Sequence, residues 1–249
     1  MVADAWAARL LDLGRAPYGE VYRLQKTLHA AIAEGRQADT WIVVEHDPVI
    51  TLGRRANAAN VLLGRELLAA RGIEVVQVER GGDVTYHGPG QVVVYPILRL
   101  ERFREIVPLV SALEHAVVDA LADFGIRAGG RPEHRGVYVG ENAICAVGLA
   151  VQRMTTLHGI ALNVAPALDY DRIITPCGTP QFGITSIARE LGRPVTWAQG
   201  RAALLASLGR VFDIRFDPEP ASIGLRGPVK VSAVSLGHPH EQREAVRLQ

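Results

Sequence analysis

Lysine is nearly missing from this chain. Of 249 residues only Lys26 and Lys230 carry it, so the basic side is almost all arginine. Cysteine is just as scarce. Cys145 and Cys177 stand far apart and form no Cys-x-x-Cys pair, which argues against a structural zinc site, and a disulfide is not expected in a reducing compartment. No apolar run approaches the roughly 20 residues that span a bilayer. The N-terminus lacks a basic region followed by an apolar core, so neither membrane nor signal peptide is expected and the expected location is the cytoplasm. Charge of one sign is lacking too. Lys and Arg number 27 against 26 Asp and Glu, a net charge of +1, which excludes a general electrostatic grip on nucleic acid. Neither Gly-x-x-x-x-Gly-Lys-Ser/Thr nor Gly-x-Gly-x-x-Gly at a strand-to-helix turn occurs, so no P-loop and no dinucleotide fingerprint is present.

What is present is an ordinary globular composition, 48% apolar and 21% charged, without internal repeat or linker-like composition break. The expectation is a single domain over 1–249, its catalytic part within about 10–215 and an irregular C-terminal segment from about 221 to 249. Val21, Leu24, Leu28 and Ile32 recur on one face of a helix expected over 17–33, with Pro17 in its first turn and Gly35 as its stop. Strands are expected at 41–45, 73–78, 91–98 and 158–164, and helices over 108–124 and 184–191. Gly140-Glu141-Asn142 reads as a hairpin turn between 136–139 and 144–151. Thr196 with Gln199 forms a capping-box signature for a helix reaching about Val211. Helices and strands interleave without strict alternation, which points to an α+β fold with a mixed β-sheet packed with helices.

The densest signal is residues 80–91, RGGDVTYHGPGQ, where four glycines and a proline surround Thr85, Tyr86 and His87. Glycine lets a ligand approach the main chain, so this segment, expected as a strand-end loop, suits holding something rather than filling a core. Asp83 could pair with Arg80 or stabilise the turn. Cys177 is bracketed by Pro176 and Gly178 in a turn. Such a cysteine has the access a nucleophile needs, though a free cysteine also serves as a small buried hydrophobe. Cys145, inside an apolar strand, reads as core. His87 and His158 each precede glycine; they suit a general base, a hydrogen-bond donor or a metal ligand beside Cys177, and equally a satisfied structural histidine. Runs such as Arg54-Arg55 and 101–105 read as solvated surface.

Three segments together resemble one family: 80–91 (RGGDVTYHGPGQ), Ala146-Val147-Gly148 with 158–164 (HGIALNV), and 175–186 (TPCG, then TS). They look like the lipoyl(octanoyl)transferases, or octanoyl-acyl-carrier-protein:protein N-octanoyltransferases. The resemblance implies the biotinyl/lipoyl protein ligase type of catalytic domain. It also implies transfer of an octanoyl group from octanoyl-acyl carrier protein to a specific lysine of lipoyl domains, those of 2-oxoacid dehydrogenase E2 subunits and glycine cleavage H protein, by way of a cysteine thioester. That is acyltransferase chemistry in protein lipoylation and lipoate biosynthesis, needing no metal and no cofactor, and it implies a monomer. Carried over, Cys177 is the nucleophile. The acyl and substrate pocket is then lined by Arg80, Gly81, Gly82, Asp83, Val84, Thr85, Tyr86, His87, Ala146, Val147, Gly148, His158, Gly159 and Ile160.

One position departs from the pattern. The family places a lysine just before the Ile-x-Ala-x-Gly strand, held to deprotonate the cysteine and then the attacking amine. Ala143 stands there, in Asn142-Ala143-Ile144-Cys145-Ala146-Val147-Gly148. Alanine can neither accept a proton nor lower a thiol pKa, so weak or absent turnover over an intact pocket is expected, whether through a disabling Lys→Ala change or in a divergent member. The alternatives are an ATP-dependent lipoate-protein ligase, whose glycine-rich segment reads differently, and a non-catalytic module that binds lipoyl domains or acyl carriers.

Overall fold

The computed structural model describes residues 6–131, 134–167, 173–175 and 182–219. Strand β1 (Trp6–Ala16) precedes helix α1 (Tyr18–Ala33) and strand β2 (Thr40–His46). Then come β3 (Val49–Leu52), helix α2 (Arg65–Ala70), β4 (Glu74–Gln77), β5 (Val84–His87) and β6 (Gln91–Ile97). Helix α3 (Ile106–Ala122) is followed by β7 (Gly129–Gly130), β8 (Val137–Val139), β9 (Asn142–Gln152) and β10 (Thr155–Asn163). Helices α4 (Ile187–Leu191) and α5 (Trp197–Phe212) lead to β11 (Ile214–Glu219).

Among the described residues these strands form two sheets, one of eight strands in the order β11-β1-β2-β6-β10-β9-β8-β7 and one of three in the order β4-β3-β5. In the large sheet β1 runs parallel to both β11 and β2, and the pairings from β2 to β7 are antiparallel; in the small sheet β3 is parallel to β4 and antiparallel to β5. The sheet is therefore mixed, mostly antiparallel and packed with helices, an α+β arrangement, with α3 and α5 on one face and α1 on the other.

β6 shows why. All seven of its residues are buried, and they alternate in direction. Val92 and Val94 enter a core shared with Leu113 and Val117 of α3 and Leu204 and Leu208 of α5. Val93, Tyr95 and Ile97 enter a second core with Val21, Leu24, Leu28 and Ile32 of α1. A central strand covered twice must read as a continuous apolar run, which is what Val92-Val93-Val94 supplies. The apolar stripe of α1 is the one its spacing predicts, and Gly35 at φ 71 follows it. α5 starts with the expected capping box: Thr196 Oγ1 accepts from Gln199 N at 3.2 Å while Gln199 Oε1 accepts from Thr196 N at 2.9 Å.

Several expectations are corrected. The glycine-rich segment is not wholly loop: residues 84–87 form β5, antiparallel to β3. The strand at 73–78 is shorter and largely exposed, and it lies in the small sheet, not beside β6. The helix expected from 184 begins at Ile187, because Ile184 is extended and bridges to Ala143. β1, β3, β7, β11 and α2 were not expected. The C-terminal segment from 221 lies outside the described residues. No helix among the described residues is long and apolar enough to cross a membrane.

Candidate functional site

The small sheet packs its own apolar cluster, including Ile50, Leu68 and Val84, against Ile173, Ile174 and Ile184. Between it and the main sheet opens a narrow cleft of about 40 Å³. Its wall on the small-sheet side is Thr85 and Tyr86. Its floor is Ala146 of β9 and Ala161 of β10, directly opposed in register. Gln91 and Asn163 border it as well, and Ala143, Cys145, Tyr138 and Arg135 stand toward β8.

The floor stays low because small residues recur on one face. Ala146 and Gly148 alternate with Val147, which packs into the core under α3, and Gly148 faces Gly159 across the ladder. A Cβ on Gly159 would strike the Val94 carbonyl oxygen, so only glycine fits there. Arg80 roofs this stretch. Its Nε and Nη2 reach Thr51 Oγ1 at 3.0 and 2.9 Å, and Nη2 also donates to Thr51 O at 2.7 Å. Gly81 N donates to Leu149 O at 3.0 Å, fastening the loop to β9.

The other singled-out residues take distinct places. Asp83 accepts from Asn57 N at 2.9 Å and from Asn60 Nδ2, so it holds the 57–60 turn. Val84 is in the small-sheet core, and Ile160 is in the core under α3 and α5. His87 is buried, stacked on Tyr18 with ring centroids 6.2 Å apart, and its Nδ1 lies 3.3 Å from Gln91 Oε1. Burial pushes its imidazole well below the usual histidine range. Gln91 continues the chain of contacts: Nε2 donates to Asn163 Oδ1 at 3.0 Å, and Asn163 Nδ2 donates to Thr185 O at 3.0 Å. His158 adopts a left-handed φ of 61 and stacks on Tyr22 at 5.7 Å. Its Nε2 lies 3.4 Å from Glu79, an ion-pair separation. The His158 ring and the Tyr22 hydroxyl, which donates to Glu79, hold that carboxyl well below the ordinary carboxylate range. Glu79 and Tyr22 escaped the sequence reading. Glu79's place beside Arg80 was the available signal, and Tyr22 gave none because its partner lies 57 positions away.

Cys145 is a core residue at 1% exposure. Burial pushes its thiol far up, which suits a neutral sulfhydryl. Cys177 and its neighbours 176–181 lie outside the described residues. The segments on both sides of them are tied to the cleft. Thr175 N donates to Asn60 O at 2.8 Å and Leu62 N to Ile173 O at 2.8 Å. Beyond the segment, Ala143 N donates to Gly183 O at 2.8 Å and Thr185 N to Ala143 O at 3.0 Å. Among the described residues no three His, Cys, Asp or Glu side chains gather to hold a metal ion.

Two sheets meeting over a slot floored by small residues define a known kind of catalytic domain. Residues 17–209 match the model of the lipoyl protein ligase A/B catalytic domain. A solved lipoate-protein ligase A bound with ATP superposes with a TM-score of 0.70 at 20% identity, covering 86% of this chain and 90% of that one. A putative lipoate protein ligase from T. acidophilum with bound lipoic acid gives 0.68 at 18%, covering 86% and 88%. These two share the fold. Among curated relatives, an octanoyltransferase of Syntrophobacter fumaroxidans is 46% identical over 83% of this chain and 91% of its own length. Another from Solibacter usitatus is 42% identical over 84% and 94%. The chain belongs to the lipoyl protein ligase A/B catalytic-domain family, among its octanoyltransferases, and is an acyltransferase.

Proposed function

We propose that this chain moves an octanoyl group from octanoyl-acyl carrier protein to a lysine amine of a lipoyl domain through a thioester on Cys177. The Cys177 thiolate attacks the carbonyl of the carrier's thioester. A new C–S bond forms, the old one breaks, and the carrier's thiolate leaves to take up a proton. The lysine amine then attacks the enzyme thioester, an amide C–N bond forms, the amine gives up its proton and the Cys177 thiolate is released. The first exchange is thioester for thioester and near isoenergetic, so no ATP is needed.

The observation that carries this reading is the double tether at the cleft. Thr175 is fixed at Asn60 and Gly183 at Ala143, while Ile174 and Ile184 both border the cavity. Cys177 lies only two positions beyond Thr175, a reach of about 7 Å. Ala146, Ala161, Ile174 and Ile184 give the cleft an apolar stretch, and each CH₂ buried there contributes about 0.8 kcal/mol, so an eight-carbon chain supplies most of its own binding.

Ala143 stands on the cleft wall, where the family pattern calls for lysine. No base lies at that position, and we infer slow turnover over a pocket that still binds. Intact mass after mixing with octanoyl-acyl carrier protein tests the reading. An octanoyl adduct that disappears in Cys177→Ala is expected. Complex formation with no adduct would favour the binding-only alternative, and ATP–pyrophosphate exchange would favour a ligase.

A further inference from the structure

We propose that the arm of residues 53–72 is the docking surface for the acyl carrier, gripping the phosphodiester and the acidic protein surface at the base of its thioester-bearing arm, an inference that rests on the function proposed above.

The chain as a whole is nearly neutral, with 27 basic against 26 acidic residues. Residues 53–72 hold four arginines, Arg54, Arg55, Arg65 and Arg71, against one acid, Glu66. All four arginines are exposed. Two of the large apolar side chains left in solvent sit on the same arm, Leu62 at 51% and Leu67 at 56% exposure. Their neighbour Leu68 is buried at 1% and anchors α2 in the small-sheet core. The arm therefore has a fixed inner side and an outer side that is cationic and apolar together.

Its place makes that outer side useful. At one end Arg54 N donates to Arg80 O at 3.0 Å and Arg55 N to Gly82 O at 3.1 Å, so the arginine pair is laced to the loop that roofs the slot. At its middle Leu62 N donates to Ile173 O and Asn60 O receives Thr175 N, so this part of the arm runs beside the stretch leading to Cys177. The carrier brings its thioester on an arm joined to the protein through a phosphodiester. When the thioester enters the slot, that anion is left at the rim, beside an acidic protein face. Arginine's planar fork matches a phosphate oxygen pair, and surplus positive charge speeds and orients the encounter.

A second exposed apolar patch, Phe103 at 69% and Val107 at 59%, fits this partner less well. Residues 99–107 set three arginines against two glutamates, and they follow the Ile97 end of β6, whereas Gln91 at its start borders the cleft.

The test is fluorescence anisotropy of labelled octanoyl-acyl carrier protein against the full chain at low and high salt. The Arg54→Glu/Arg55→Glu and Arg65→Glu/Arg71→Glu double variants should each weaken binding at low salt by about tenfold. That difference should shrink at high salt, and Arg102→Glu/Arg104→Glu should bind as the parent does. Acylation of Cys177 by octanoyl-pantetheine, which lacks phosphate and protein, should be unchanged in both arm variants. Unaltered carrier affinity in the arm variants, a larger loss in the 102/104 variant, or an equal loss with octanoyl-pantetheine overturns the docking proposal. If the parent is acylated by octanoyl-pantetheine yet does not bind the carrier, docking alone fails. If the carrier binds through the arm but neither donor acylates Cys177, the thioester function fails and the docking surface stands.

Discussion

Arg80 lies across Gly148: a Cβ built at position 148 would stand 3.2 Å from Arg80 Cδ and 3.5 Å from Gly81 O. The guanidinium is tied down by three bonds to Thr51, so it has little room to retreat. Gly148→Val should therefore force the Arg80 segment out of place beside the cleft, weakening octanoate binding by at least about tenfold, or ~1.4 kcal/mol. Calorimetric titration measures it. Unchanged affinity would place the acyl chain elsewhere.

Ala143→Lys should restore a base at the cleft wall and raise octanoyl transfer by about 10²–10⁴-fold, the usual contribution of a positioned acid–base group. Single-turnover transfer to a lipoyl domain reads this out. Equal rates in the two forms would refute the role assigned to this position.

His46 predicts a pH dependence of stability. It is fully buried between Ala16 O at 3.0 Å and Tyr95 Oη at 2.9 Å, and burial lowers its pKa from 6.5 to about 4. The folded value lies below the unfolded one, so on acidification the unfolded chain takes up the proton first. The stabilisation is whole above pH 6.5 and drains away between 6.5 and about 4. At ~1.36 kcal/mol for each pH unit between the two values, the loss is on the order of 3 kcal/mol. His87, shifted the same way by burial, adds to it. In His46→Gln the fall of Tm across that window should be shallower than in the parent, and identical slopes would discount the residue.

Gly200 sits in the first half of α5 against Val164. In a free helix Gly→Ala gains about 1 kcal/mol. Here the new Cβ would collide with Val164 Cγ2 and stand 3.2 Å from Val164 Cβ, on a side chain too stiff to swing aside. Gly200→Ala should lower stability, by roughly 1–3 kcal/mol, in chemical denaturation. A stabilised variant would show that α5 can lift away from β10.

Much of the fold was legible where one periodicity ran without interruption. The stripe of α1, the Thr196 capping box and the turn at 140–142 are local signals, and the structure keeps all three. β1 was hidden because Gly14, at φ 57, breaks its alternation and its register slips between Asp12 and Arg15. β5 was masked by the glycines around it, and its strand character comes from pairing with β3, more than thirty residues upstream. Of the residues the motifs group as substrate-binding, Thr85, Tyr86 and Ala146 border the cleft. No motif could reveal the Glu79–Tyr22–His158 group, since it joins three segments whose proximity exists only after folding.

Position 143 holds its neighbours with main-chain atoms alone, giving N–H to Gly183 and C=O to Thr185. Whatever side chain it bears, those two bonds survive. Architecture and reactivity are thus uncoupled at this one spot, and the strand can exchange an inert group for a proton acceptor without redrawing the backbone around it.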